Sequence, residues 1–141
     1  MTPFGQPPAF RLEVEVEPPL ALDGATMGPV RLVRIIGGRV SGALSGTILP
    51  GGTDWQTVRG DGSVEIEARY LLQLDDGARV ELQSRGLRGA GAAGFWSSIW
   101  LRAEAPAHAA LNSVQYLALG CKLPEYVAIE AWALPEPQPS A

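Results

Sequence analysis

The chain has one cysteine, one histidine and one lysine among its 141 residues. A lone Cys121 excludes an intramolecular disulfide and a cysteine-built zinc site. Its only cationic neighbour is Lys122, so it reads as packing and not as a nucleophile. Schiff-base chemistry would rest on Lys122 alone, and nothing around that residue marks a reactive amine. His108, equally alone, has no cysteine partner and no triad order around it, and a metal site built on it would need several converging carboxylates. Positive charge is scarce: eleven basic residues face fifteen acidic ones, for a net charge of −4. That balance leaves no electrostatic footprint for nucleic acid. No apolar run approaches the roughly 18 to 20 residues that a membrane-spanning helix needs. Residues 1–8 carry neither a basic n-region nor an apolar h-region. The expectation is a cytoplasmic protein with no nucleic-acid or membrane partner, no cofactor and no metal. A Walker lysine loop, a Gly-x-Gly-x-x-Gly turn between strand and helix, a Gly-x-Ser-x-Gly elbow and a His-Glu-x-x-His helix are all missing.

Glycine and proline are plentiful, at 17 and 12 residues, within a chain that is 46% hydrophobic and 18% charged. Such a composition fits one globular domain large enough to bury a core unaided. Pro3, Pro7 and Pro8 at one end and Pro135, Pro137 and Pro139 at the other frame it. They predict an extended tail over 1–9, a folded domain over 10–134 and a Pro-rich tail over 135–141.

Between the tails the dominant period is two. Phe10, Leu12, Val14 and Val16 alternate with Arg11, Glu13, Glu15 and Glu17, which predicts a half-buried strand ended by Pro18-Pro19. A more continuously apolar strand follows over 30–36, broken at Gly37-Gly38, and a glycine-punctuated one over 39–48. The stretch Leu49-Pro50-Gly51-Gly52-Thr53-Asp54-Trp55-Gln56 reads as a turn that presents an acid and an indole side by side. A long strand over 64–74 places Val64, Ile66, Ala68, Tyr70, Leu72 and Leu74 on one face. Asp75-Asp76-Gly77 is a hairpin signal, because Asp-Gly tolerates the positive φ of a tight turn. The returning strand holds Val80 and Leu82, and a flexible loop is expected over 86–94. A strand over 95–102, a short helical turn over 106–112 and strands over 114–119 and 126–134 complete the set. About eight strands with short connections and little helix predict an all-β fold. Of sandwich and barrel, a single antiparallel β-barrel suits the long glycine-bent strands and leaves no sheet edge to protect.

Gly37-Gly38, Gly42 and Gly46, then Pro50-Gly51-Gly52-x-Asp54-Trp55, resemble the domain-of-unknown-function family 3237 (DUF3237). The resemblance continues through Ala68-Arg69-Tyr70, Asp76-Gly77, Gly86 and Leu111-Asn112, over about residues 10 to 132. It implies a small antiparallel barrel of the allene-oxide-cyclase and dirigent type, calycin-like in outline, with no settled activity. The related barrels bind small hydrophobic molecules and steer cyclisation or coupling. They often associate, which implies a homo-oligomer. The chain departs from the family pattern at His108-Ala109-Ala110, where an aromatic residue is usual.

Candidate chemistry starts at Asp54 and Trp55, with Asp54 as general base or acceptor, its pKa raised by the indole, and Trp55 as a stacking wall. The competing reading has Asp54 bonding turn amides and Trp55 plugging the barrel end. Arg69 and Tyr70 are adjacent on a strand and so point to opposite faces. Tyr70 shares its face with Ile66, Ala68 and Leu72 and is expected inside, where its hydroxyl can meet a ligand oxygen. Arg69 is either an outer-face ion pair with Glu65 and Glu67 or an anion clamp. His108 is a proton shuttle or a plain loop residue. Trp96 and Trp100, on one strand face, line a cavity, cover an oligomer interface or belong to the core. Asn112 fixes a ligand or satisfies loop amides. The leading expectation is a barrel around a small hydrophobic or aromatic molecule, as a cyclase or isomerase using Asp54, Tyr70 and His108. The alternatives are a non-catalytic carrier or sensor with the same pocket, and a structural oligomeric module with a barrel filled by side chains. Whether the chain is an enzyme at all stays open at this level.

Overall fold

Strict alternation makes strands that bury one face, and here the buried faces all point the same way, into a closed barrel. The computed structural model describes residues 4–24 and 28–140. Residues 1–3 and 141 of the two expected tails lie outside them. In chain order the elements are β1 (Phe10–Val16), β2 (Leu20–Leu22), β3 (Val30–Gly42), β4 (Gly46–Ile48) and β5 (Gly52–Val58). They continue with β6 (Val64–Leu74), β7 (Arg79–Arg88), β8 (Gly94–Ala103), a 3-10 helix (Pro106–Ser113), β9 (Tyr116–Lys122) and β10 (Val127–Ala133). Every pairing is antiparallel, and β1 closes the ring by pairing with both β10 and β3. β4 and β5 share one position between β3 and β6, and β2 takes up the β3 edge beyond Pro18-Pro19 where β1 ends. The result is a closed eight-stranded antiparallel barrel, as the strand spacing predicts.

Two expected breaks are continuous strand instead. β3 runs through Gly37-Gly38, with a register shift opposite Glu15 and Val16 on β1. Gly38 has a φ of +133°, and a Cβ there would overlap the Glu13 carbonyl oxygen. Glycine is needed for β1 to approach so closely, and it bends the strand without ending it. Likewise Gly86 belongs to β7, whose pairing with β8 runs on to Leu87, so the connection is only residues 89–93 and not 86–94. The segment read as a turn at Gly52-Thr53-Asp54-Trp55-Gln56 is itself strand β5, paired on both sides. The Asp-Gly hairpin forms as expected, with Gly77 at φ +88° and the Ala78 amide donating to Asp76 Oδ1 at 2.9 Å.

One half of the barrel is solid. Phe10, Leu12, Leu72, Leu82, Val80 and Ile99 are essentially inaccessible, and each such side chain contributes roughly 1.5 to 3 kcal/mol relative to exposure. Phe10 and Tyr116 meet edge to face with ring centroids 5.1 Å apart. Leu111 and Val114, at the 3-10 helix and just beyond it, pack onto this half, and Asn112 ties the helix to β8 through the Ala103 backbone. The cavity lies in the opposite half.

Candidate functional site

At its open end the barrel holds a cavity of about 440 Å³, walled by Val14, Val33, Ile66, Phe95, Val127 and Ile129. Asp54, Gln56, Tyr70 and Ser84 supply its polar inner surface, while Glu17, Arg31, Arg88 and Lys122 complete the lining. Arg88 and Lys122 are the last residues of β7 and β9, and Glu17 follows the last residue of β1, so these three stand at the rim.

Asp54 enters from β5, opposite Val33 on β3 and Ala68 on β6. Gln56, two residues on and facing the same way, donates from Nε2 to Asp54 Oδ2 at 2.9 Å. Oδ1 is buried with no hydrogen-bond partner among the described residues. Burial pushes the Asp54 carboxyl up to about 6, against the opposing pull of the Gln56 hydrogen bond and the Arg31 charge. Tyr70 stands on β6, one inward position deeper than Ala68, and is 4% exposed. Its hydroxyl too has no partner among the described residues. Burial and the nearby Asp54 carboxylate both push the phenol above its ordinary range, so it stays a neutral donor. Gly52 makes room for it, because a Cβ at Gly52 would overlap the Tyr70 Cβ. Gly120 does the same for Phe95, whose ring occupies the place of a Gly120 side chain.

A carboxyl group that titrates near neutrality can both take and give a proton at physiological pH. A neutral phenol beside it can donate a hydrogen bond to an oxygen that gains negative charge. Both residues line the same largely apolar cavity, and each keeps a buried polar atom with unused bonding capacity. Among the described residues no cluster of three or more His, Cys, Asp or Glu side chains has metal-holding geometry.

Of the residues singled out in the sequence, Asp54 and Tyr70 share this cavity and the others do not line it. Trp55 is the neighbour of Asp54 on a strand, so it points outward; it is 48% exposed and lies between Leu32 and Glu67. It is therefore not the stacking wall of this cavity, nor does it plug the barrel end. Arg69 is outside by the same alternation and pairs with Glu81 at 3.4 Å, not with Glu65 or Glu67. Trp96 and Trp100 are on the outer face of β8, exposed to 46% and 61%, so the cavity and core readings give way to an exterior one. Trp100 Nε1 donates to Gln115 Oε1 at 2.7 Å, and Trp100 borders a separate outer groove together with Asn112. Asn112 spends its amide on Ala103, accepting from the backbone N–H at 2.6 Å and donating to the carbonyl at 3.0 Å. His108 bonds Asp76 through Nε2 at 2.6 Å, at the filled end and far from Asp54 in the register.

Gln56, Arg31, Phe95, Ser84, Arg88 and Lys122 were not anticipated. Gln56 was findable two residues after Asp54, and Arg31 two before Val33, once both segments are taken as strands. The rim cations Arg88 and Lys122 carry no local signal, since only barrel closure brings them into one lining with Arg31.

The model of the family described as "Protein of unknown function (DUF3237)" matches residues 6–134. The chain belongs to the DUF3237 family. A UPF0311 protein from Clostridium acetobutylicum is 41% identical over 81 residues, covering 56% of this chain and 51% of that protein. One from Bradyrhizobium diazoefficiens is 42% identical over 62 residues, covering 44% and 41% respectively. By sequence the chain thus matches about half or less of the length of these DUF3237-type relatives. Among solved structures, a protein of unknown function from Clostridium acetobutylicum superposes with a TM-score of 0.84 at 28% identity, covering 91% of this chain and 97% of that one. A beta-barrel like protein from Acinetobacter baumannii gives 0.82 at 27%, covering 90% and 93%. An enzyme from Penicillium herquei shares the fold with a TM-score of 0.72 at 24% identity, covering 94% and 98%. As a DUF3237 member the chain has an established fold and no established chemistry.

Proposed function

We propose that this DUF3237 barrel binds a small, largely apolar or aromatic metabolite at its open end and catalyses a proton-transfer isomerisation or cyclisation on it. One observation carries the reading: Asp54 and Tyr70 both line one largely apolar cavity, and Asp54 Oδ1 and the Tyr70 hydroxyl are buried with no hydrogen-bond partner among the described residues. A buried polar group left unpaired costs about 1 to 3 kcal/mol, a penalty that a site for a polar ligand atom would offset. Asp54 moves the proton, and Tyr70 holds the oxygen on which charge develops. The walls exclude water and fix the substrate, and general acid–base help of this kind contributes roughly 10²- to 10⁴-fold. That a barrel of the same fold is described as an enzyme makes turnover worth seeking.

The test begins with a thermal-shift screen of small aromatic, lactone and polyketide-like compounds, followed by product analysis for each binder. Wild type should convert a binder at a rate that inflects near the Asp54 pKa of about 6. Asp54→Asn should bind it and not convert it. Binding without conversion in both proteins would support the carrier reading over catalysis. Ligand binding that ignores both Asp54→Asn and Tyr70→Phe would remove these residues from the site. The outer-face tryptophans have a separate use in this proposal, as a contact between copies of the chain, read by the sedimentation mass of wild type against Trp96→Ala.

A further inference from the structure

The cavity's cations outnumber its acids, in a chain that is otherwise acidic. Arg31, Arg88 and Lys122 line it against two carboxyl groups, Glu17 at the rim and Asp54 inside, while the chain as a whole carries −4. On the outer surface, Arg11, Arg39, Arg59 and Arg69 each have a glutamate within 4.0 Å, while Arg34, Arg79, Arg85 and Arg102 have none and are exposed to water. Among the described residues, Arg31, Arg88 and Lys122 have no carboxylate at that distance, Asp54 included. Arg31 is the decisive member. It enters from within β3, on the same face as Val33 and Ile35, and its Nε is buried without a partner among the described residues. Arg31 is half-buried and its charge also acts on Asp54; a buried N–H without a partner is costly unless an acceptor meets it, and the planar guanidinium fork suits an oxyanion.

Resting on the reading of the cavity given above, we infer that the ligand is a small aryl or similarly apolar organic anion. Its anionic group sits at Arg31, flanked by Arg88 and Lys122. The spacing follows from the register. Arg31 pairs with Gln56, which faces Ile66, and Tyr70 is four residues along β6 from Ile66. That is roughly 13 Å of strand, with Asp54 at the level between. Between these backbone levels, an anion at Arg31 and an oxygen at Tyr70 leave room for an apolar body of no more than one or two rings, against Val33, Ile66 and Phe95. Tyr70, 4% exposed and unpartnered, supplies the inner anchor.

The experiment is calorimetric titration of the full chain with one- and two-ring arylcarboxylates, each paired with the neutral alcohol of the same ring system, and with the matching aryl phosphates. Anions should bind at least about tenfold tighter than their neutral partners, and added salt should shrink the difference. Arg31→Gln should erase the preference while leaving the neutral compounds within about twofold, and Arg31→Lys should restore part of it. Arg88→Gln and Lys122→Gln, at the rim where folding is not at stake, should each cost about two- to fivefold for anions only. A phosphate that outbinds its carboxylate keeps the inference and names the head group. Neutral compounds that bind as well as anions, or an anion preference untouched by Arg31→Gln, overturn the inference while the cavity reading survives. Failure of every member of all three series to bind overturns both.

Discussion

If the Asp54 carboxyl is held at about 6 by desolvation, the protein loses stability each time that group ionises, and Asp54→Asn should recover it. The shift from 3.8 to about 6 corresponds to roughly 3 kcal/mol at 1.36 kcal/mol per pKa unit, as an upper estimate. The sign follows from proton binding. Between about pH 4 and pH 6 the folded chain holds a proton on Asp54 that the unfolded chain has released, so stability falls as pH rises through that window. Above about pH 6 both states are ionised and the full penalty persists. Asparagine carries no charge at any pH and can still accept from Gln56. Wild type and Asp54→Asn should thus have similar stability near pH 4 and diverge with rising pH, the variant gaining roughly 1 to 3 kcal/mol by neutrality. For a domain of this size that is an increase in Tm of about 3 to 12 °C. Denaturant titrations of both proteins at steps from about pH 4 to pH 8 measure the difference directly. Parallel stability curves, or a variant weaker by the same amount at every pH, would refute the desolvated-carboxylate argument and return Asp54 to a hydrogen-bonding role in the strand. A variant that is both more stable and inactive would carry the mark of a residue kept for function.

Tyr70→Phe removes a hydroxyl with no protein partner, so unfolding stability should hold or rise by up to about 1 kcal/mol while turnover falls. Gly52→Ala drives a methyl into the Tyr70 side chain, and should cost about 1 to 3 kcal/mol and displace Tyr70, seen as loss of ligand affinity out of proportion to loss of fold. Trp55→Ala should change stability by roughly 0.2 to 1 kcal/mol through its cross-strand neighbours and leave ligand affinity unaltered; a large affinity loss would place the ligand outside the barrel. Ser84→Leu puts an apolar side chain into the cavity and should abolish binding while the far-ultraviolet spectrum and cooperative melting persist.

Much of the barrel was legible because half-buried strands advertise themselves: the face of Val64, Ile66, Ala68, Tyr70, Leu72 and Leu74 is the inner face of β6 without exception. Legibility failed where glycine stood inside a strand. Gly37-Gly38 and Gly86 look like breaks, yet Gly38 and Gly86 are places where a neighbouring backbone needs the room. The glycines before Asp54 made a strand read as a turn, and that error decided the fate of the site. In a turn, Asp54 and Trp55 can meet one ligand together. On a strand they cannot, by the same alternation that correctly separated Arg69 from Tyr70.

The cavity itself was written in residue size, in a form that single strands do not display. Following the inward positions of β7 from Val80 gives Val80, Leu82, Ser84 and Gly86; β9 gives Tyr116, Ala118 and Gly120. On β6 the bulky run of Leu74, Leu72 and Tyr70 is interrupted by Ala68 before Ile66 and Val64 resume it. Antiparallel pairing sets these sequences side by side, Ala68 against Ser84 and Tyr70 against Leu82. Small inward residues of β6, β7 and β9 thus come together towards the open end, where the larger Val33, Ile66 and Phe95 form the walls and leave the centre unfilled. A barrel of this strand number can be filled completely by side chains, so small inward residues at neighbouring positions mean that one end is left unfilled by design of the sequence. Asp54, Tyr70 and Arg31 are the residues lining that unfilled end whose buried polar atoms have no partner among the described residues. That coincidence ties the packing argument to the chemical one: where the core stops, the unpaired polar atoms begin.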